Sequence, residues 1–179
     1  MSVFLRKPIL CLISAITLLI SGCGYSHSWM YPKTVSTVYV EMFDSRSFRR
    51  GHEYNLTDAI AKRIESETPY KIVSDRNLAD SVISGQITAI GQGTLSYERE
   101  SGSAFERDAR VMINFSWKDL KTGQLFVDNE NVEASATFSS FVGQDFDYAA
   151  RVAINRAAVR VVERMQTKWE PEEKSNVNN

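Results

Sequence analysis

The sequence predicts an α+β fold, with two helices packed on one face of a mixed, roughly four-stranded sheet, and three observations predict it. Val111, Ile113, Phe115 and Trp117 alternate with Arg110, Met112, Asn114, Ser116 and Lys118, the period of a strand with one dry face and one wet face. Two segments repeat their apolar residues at helical spacing, one from Asn55 or Thr57 to about Glu67 and one from Asp145 to about Trp169. Each helix has a single apolar stripe and the long strands have one polar face, so both helices belong on the same side of the sheet. Strand order does not follow from these patterns.

In chain order, Thr34 to Phe43 is rich in β-branched and aromatic residues, with Val38, Val40 and Met42 alternating onto one face of a first strand. Asp44 to Tyr54 is polar and reads as a loop. The first helix, capped by Asn55 or Thr57, carries Leu56, Ile60 and Ile64 on its buried stripe. Pro69 stops it, because the ring clashes with the preceding turn and the N–H is missing, and Tyr70 to Val73 starts a second strand. Ser81 to Ile90 is a third, and Gly91-Gln92-Gly93-Thr94 reads as a flexible join between strands.

Thr94 to Asp119 alternates again around a charged interruption, Glu98 to Asp108, expected to be the tip of an extended hairpin. Gly123 sits in a turn at a left-handed position, and Leu125 to Phe138 returns with Val132, Ala134, Ala136 and Phe138 on one face. In the long second helix Ala149, Ala150, Ala153, Ala157, Ala158, Val161, Val162 and Met165 share a side, and alanines let a helix lie close to a sheet. Phe138 and Phe141 are expected to anchor that helix. The element order is β-α-β-β-β-β-α with no internal repeat.

The amino terminus sets the compartment. Arg6 and Lys7, an apolar run from Ile9 to Ile20, and Ser21-Gly22 before Cys23 have the charge, core length and small residues of a secretory signal peptide ending in a bacterial lipobox. The alternatives are an uncleaved anchor helix or a cut elsewhere that leaves Cys23 an ordinary thiol. Cleavage before Cys23 with acylation of its sulfur and of the new amino terminus gives three chains, each contributing roughly 0.8 kcal/mol per buried CH₂. The expected organisation is a signal peptide at 1–22, a lipidated tether at 23–33, one domain at 34–169 and a disordered tail at 170–179. Gly24, where an Asp would favour retention at the inner membrane, leans toward an outer-membrane location facing the periplasm.

Removing residues 1–22 leaves 157 residues (179 − 22) and takes Lys+Arg from 21 to 19 against 22 Asp+Glu, a net charge of −3. Such a balance argues against nucleic acid as a partner. Cys11 leaves with the signal peptide and Cys23 carries lipid, so neither a disulfide nor a thiolate zinc site is available, and His27 and His52 lie far apart in polar stretches. No metal or other cofactor is expected.

Enzyme signatures are missing. Gly91-Gln92-Gly93-Thr94 lacks the Gly-Lys-Ser/Thr ending of a phosphate loop, and no serine lies in a Gly-x-Ser-x-Gly elbow. Asp44, Glu98, Glu100, Glu106 and Asp108 invite a paired-acid reading, but Arg99, Arg107 and Arg110 interleave with the last four, as on a solvated surface. Arg46, Arg49 and Arg50 are the candidate anion or lipid contact, since guanidinium forks suit phosphate and carboxylate. The plain alternative is a loop that keeps the domain soluble. Tyr25, Trp29 and Tyr31 suit a membrane interface or packing on the domain or on a partner.

Cys23-Gly24-Tyr25 with an immediate Val-Tyr-Val-Glu-Met-Phe strand, the helix ending before Tyr70-Lys71-Ile72-Val73, and Ala79-Asp80-Ser81-Val82-Ile83-Ser84-Gly85 together resemble the LPS-assembly lipoprotein LptE family, over essentially the whole mature chain. The resemblance implies two helices on a four-stranded sheet and a role without bond chemistry. It implies an outer-membrane lipoprotein that sits in the large β-barrel translocon LptD, supports its assembly and assists delivery of lipopolysaccharide to the outer leaflet. Only Cys23, as the lipid-bearing residue, carries over by position. The alternatives are a pilotin or auxiliary lipoprotein of another envelope secretion or transport complex, which would share tether and fold, and a lipid-anchored enzyme, which would depend on acids such as Glu106 and Asp108.

Overall fold

The computed structural model describes residues 31–47, 51–97 and 104–167. The expected signal peptide, Cys23, most of the tether, Arg49, Arg50, residues 98–103 of the expected hairpin tip and the C-terminal tail lie outside the described residues, while residues 104–108 of that tip are strand, held in register by the neighbouring strand. The elements are β1 (Thr37–Val40), β2 (Asp44–Ser45), α1 (His52–Glu67), β3 (Lys71–Ile72), β4 (Ser81–Tyr97), β5 (Ala104–Asp119), β6 (Leu125–Phe138) and α2 (Phe146–Thr167), with 3₁₀ turns at Arg76–Leu78 and Ser140–Val142. The strands form one mixed sheet in the order β3-β1-β4-β5-β6, and β2 pairs with β4 further along the edge that β1 occupies. The α+β class and the two helices agree with the sequence. Six strands stand where about four were expected: β3 falls within the strand expected from Tyr70 to Val73, shortened to two residues, while β2 is a two-residue piece inside the expected loop, defined by its parallel partner β4 and not by any local pattern.

The antiparallel β4–β5–β6 ladder carries the expected apolar register. Ile83 faces Trp117, Ile87 faces Ile113 and Ile90 faces Val111, while Ile113, Val111 and Ala109 face Val132, Ala134 and Ala136. All of these are buried. Each aliphatic side chain moved fully out of water contributes roughly 1.5–3 kcal/mol. α2 lies over β5 and β6, and its alanines at 149, 150, 153, 157 and 158 are fully buried, as are Ala109, Ala134 and Ala136 on the strands below. α1 packs on α2 with Leu56, Ile60 and Ile64 inward. Among the described residues no helix is long and apolar enough to cross a membrane.

Several local expectations are corrected. α1 begins at His52, before either expected cap, because Gly51 turns the chain at φ 93° and its N–H donates to the Glu53 carboxylate at 2.9 Å. Thr57 lies inside the helix, donating to the Glu53 carbonyl at 2.8 Å and accepting from the Phe43 N–H at 3.1 Å. β1 stops at Val40, so Met42 is exposed and Phe43 turns into the core instead. Phe43 is why Gly85 has no side chain, since a Cβ there would lie 2.6 Å from the Phe43 ring and 2.4 Å from the Asn114 carbonyl. Gly91-Gln92-Gly93-Thr94 is no join: β4 runs through it to Tyr97, paired with β5 throughout. Phe138 meets the Phe146 ring edge-on at 6.5 Å and anchors α2, whereas Phe141 is largely exposed.

Candidate functional site

The fold has two poles. At the first, both helices end and the chain enters the domain. Tyr31 is buried, donates from its hydroxyl to the Glu67 carbonyl at 3.2 Å, accepts from the Gln166 side chain, and packs edge-on against Tyr70 at 5.5 Å. Of the places its aromatic ring suits, the domain core is the one it takes. Tyr70 in turn lies 5.7 Å from Trp117, and Trp117 lies 4.5 Å from Phe126. Burial pushes the Tyr31 and Tyr70 hydroxyls above the usual phenol range, so both stay neutral donors.

The segment Ala79-Asp80-Ser81 supplies the polar half of this pole. One Asp80 carboxylate oxygen accepts from the Ser36 and Thr37 amides, each at 2.9 Å, and from the Thr37 hydroxyl at 3.0 Å. The other pairs with the Lys121 ammonium at 2.5 Å. Lys121 first, then those donors, hold the Asp80 carboxyl well below the usual carboxylate range against a smaller opposing effect of burial, and Asp80 raises the Lys121 ammonium. Ser81 accepts the Trp117 indole N–H at 3.0 Å. Asp119 shapes the next turn, its carboxylate accepting from the Lys121 and Thr122 amides at 2.7 and 2.9 Å, with Gly123 left-handed at φ 78° as expected. These groups bind three chain segments together, and their hydrogen bonds are spent on one another.

At the opposite pole both helices begin and the β4–β5 hairpin projects. His52 is buried with its ring edge-on to Phe146 at 6.5 Å, although its neighbours in sequence are polar. Leu95, Phe141, Val142 and Tyr148 are exposed at this end. Arg46 leads toward it from β2, its amide donating to the Ile87 carbonyl at 3.0 Å and its side chain in solvent. Of the three candidate arginines only Arg46 is among the described residues.

The charged stretch of the hairpin lies on the sheet face away from the helices. Asp108 pairs with Arg110 at 3.2 Å, and Arg110 also reaches Glu133 at 3.2 Å. Glu106 is exposed, and Glu98 and Glu100 fall outside the described residues. No group of three or more His, Cys, Asp or Glu able to hold a metal gathers among the described residues. Sequence reading missed Asp80, Tyr31 and Gln166 as the residues that tie the entry pole. The Ala79–Gly85 run was visible as a motif, but its role depends on partners more than forty positions away.

A helix-backed sheet with one open polar face, entered at one pole and studded with apolar side chains at the other, defines a two-layer α+β domain. The chain belongs to the lipopolysaccharide-assembly LptE family, whose family model matches residues 35–169. No curated protein matches the sequence. Among solved structures, uncharacterized lipoprotein B from Nitrosomonas europaea is 13% identical, with 82% of this chain and 90% of that one covered at a TM-score of 0.53. Rare lipoprotein B from Shewanella oneidensis is 15% identical, over 73% of this chain and 93% of that one, at 0.50. A hypothetical protein from Chlamydia trachomatis is 10% identical, over 74% and 97%, at 0.53. At such identities the shared property is the fold.

Proposed function

We propose that this protein is an outer-membrane lipoprotein, acylated at Cys23 and facing the periplasm, that binds an LptD-like β-barrel translocon, supports its assembly and assists lipopolysaccharide transport to the outer leaflet. It does so by binding, with no bond chemistry and no cofactor. The observation that carries this reading is the family match across residues 35–169. The polarity of the fold supports it. Residues 23–30, fully extended, reach at most about 30 Å from the acylated cysteine to buried Tyr31, which keeps the entry pole near the membrane and leaves the opposite pole for a partner. Arg46, Arg49 and Arg50 are the proposed contacts for an anionic lipid or partner surface. Changing all three to Glu is expected to weaken lipopolysaccharide or partner binding at least tenfold; unchanged binding removes them from the account.

The test of the whole reading is immunoprecipitation of the native acylated protein from mild-detergent outer membranes, with mass spectrometry of what accompanies it. A stoichiometric assembly barrel, misassembled when the protein is depleted, is the expected result. Recovery with a secretin or an inner-membrane transporter would replace this function with that of a pilotin or auxiliary lipoprotein.

A further inference from the structure

The two long edges of this sheet are treated differently. β6 is one outer edge, and α2 covers it: Arg156 donates to the Ser135 carbonyl at 2.6 Å, Arg160 donates to the Glu133 carbonyl, and Arg164 pairs with the Glu130 carboxylate at 3.4 Å. Spaced four apart, Arg156 and Arg160 occupy backbone carbonyls that an incoming strand would need, and Arg164 holds a side chain of the same strand. β4 is the other case. β1 pairs with it only at Ser81–Ile83 and β2 only at Gln86 and Ile87, and from Thr88 onward no described strand lies on its outer side. In an antiparallel ladder alternate residues turn both N–H and C=O away from the partner. Among the described residues, the outward backbone donors and acceptors of β4 beyond Ile87 therefore have no partner strand.

Ala89-Ile90-Gly91-Gln92-Gly93-Thr94 contains neither a charge nor a proline, the residues that usually blunt such an edge. Register shifts between Ile87 and Ala89 and between Thr94 and Ser96 bracket the segment, leaving a regular window of six residues. Gly91 and Gly93 lie on the open face in line with Arg110 and Asp108. Together with Ala89 and Met112 they line a depression of about 310 Å³. A Cβ on Gly91 would meet nothing within 4 Å, so the space above it is vacant, while the Asp108 carboxylate closes over Gly93 at 2.5 Å from where its Cβ would be.

We propose that the outer edge of β4 from Ala89 to Thr94 is a strand-addition site for an extended, uncharged segment of the partner polypeptide, with a bulky apolar side chain seated over Gly91 beside Met112. This rests on the chain having the barrel partner proposed above. The added strand comes from a loop or terminal segment, since strands in a closed barrel wall already have both edges paired. Main-chain hydrogen bonds supply affinity and the depression supplies selectivity, as in other strand-addition complexes. A second copy of the same segment fits poorly: it would bring mostly glycine, alanine and threonine across the seam and leave the depression unfilled.

The test uses the full acylated protein and its barrel complex in detergent. Amide hydrogen exchange across 89–96 is expected to slow at least tenfold in the complex. Gly91→Lys and Thr94→Lys are expected to reduce barrel recovery at least tenfold with an unchanged circular dichroism spectrum and melting temperature, whereas Glu133→Lys on β6 leaves recovery intact. A barrel recovered normally by the Lys variants, or with exchange at 89–96 unaltered, overturns the strand-addition site and leaves the proposed function standing. Absence of any barrel with the unaltered protein overturns both. A free protein that sediments as a dimer dissociated by Gly91→Lys overturns the choice of occupant, assigning the edge to a second copy.

Discussion

At the entry pole Asp80 gathers two amides, a hydroxyl and an ammonium, and Trp117 is enclosed by Tyr70, Phe126 and Ser81. At the opposite pole Leu95, Phe141, Val142 and Tyr148 stand in solvent and the outer side of β4 has no described strand beside it. The difference teaches where stability and recognition reside. Groups already satisfied by one another hold the chain together, while exposed apolar side chains and a strand edge with no described neighbour suit a partner. Substitutions at the two poles should separate accordingly, with the entry pole affecting folding and the far pole affecting association.

The largest expected effect is Trp117→Ala, which removes a fully buried ring and the donor to Ser81; a loss of about 3–5 kcal/mol in urea unfolding is expected. Asp80→Ala leaves the Ser36 and Thr37 amides without their acceptor and is expected to cost about 1–3 kcal/mol. Its pH dependence has a definite sign. The Asp80 carboxyl is held below its unfolded value of about 3.9, so its contribution is complete above that pH and is lost as pH falls through the lower folded value. The gap between Asp80→Ala and the unaltered protein should therefore be full at pH 7 and shrink on acidification below about pH 4. An equal gap at pH 7 and pH 2 would show that the carboxylate charge contributes nothing there.

A glycine pair on one strand sharpens the contrast. Gly85→Ala drives a methyl group into Phe43 and Asn114 and is expected to cost about 1–3 kcal/mol, whereas Gly91→Ala, with open space, should be neutral or raise stability by about 0.4–1 kcal/mol. Melting temperatures of the two variants compare them directly. Smallest of all, Leu95→Ser and Val142→Ser should alter stability by no more than about 0.5 kcal/mol while lowering partner recovery. A large destabilisation from either would mean that the far pole is part of the folding core.

Much of this was legible where burial is written at short range. The alternation of Val111 to Trp117 against Val132 to Phe138 and the alanine face of α2 each repeat on a fixed period, and the structure buries them as their periods require. What escaped depends on distant partners. β2 exists because β4 lies beside it, and Phe43 replaces Met42 in the core because the chain leaves β1 early and crosses Gly85. The glycines at 91 and 93 look like a break in sequence, yet a paired neighbour carries a strand through them. For the candidate site, Arg46 was visible as a charge cluster member, while Asp80 and Tyr31 gain their roles only through contacts with Thr37 and Gln166.

The most direct test of the two-pole account is site-specific photocrosslinking in living cells, with a photoreactive side chain placed in turn at Gln92, Leu95 and Val142 and at Lys71 and Lys121. The account predicts adducts of barrel size from the first three positions and none from the last two. Barrel adducts from Lys71 and Lys121, with none from Gln92, Leu95 or Val142, would contradict it.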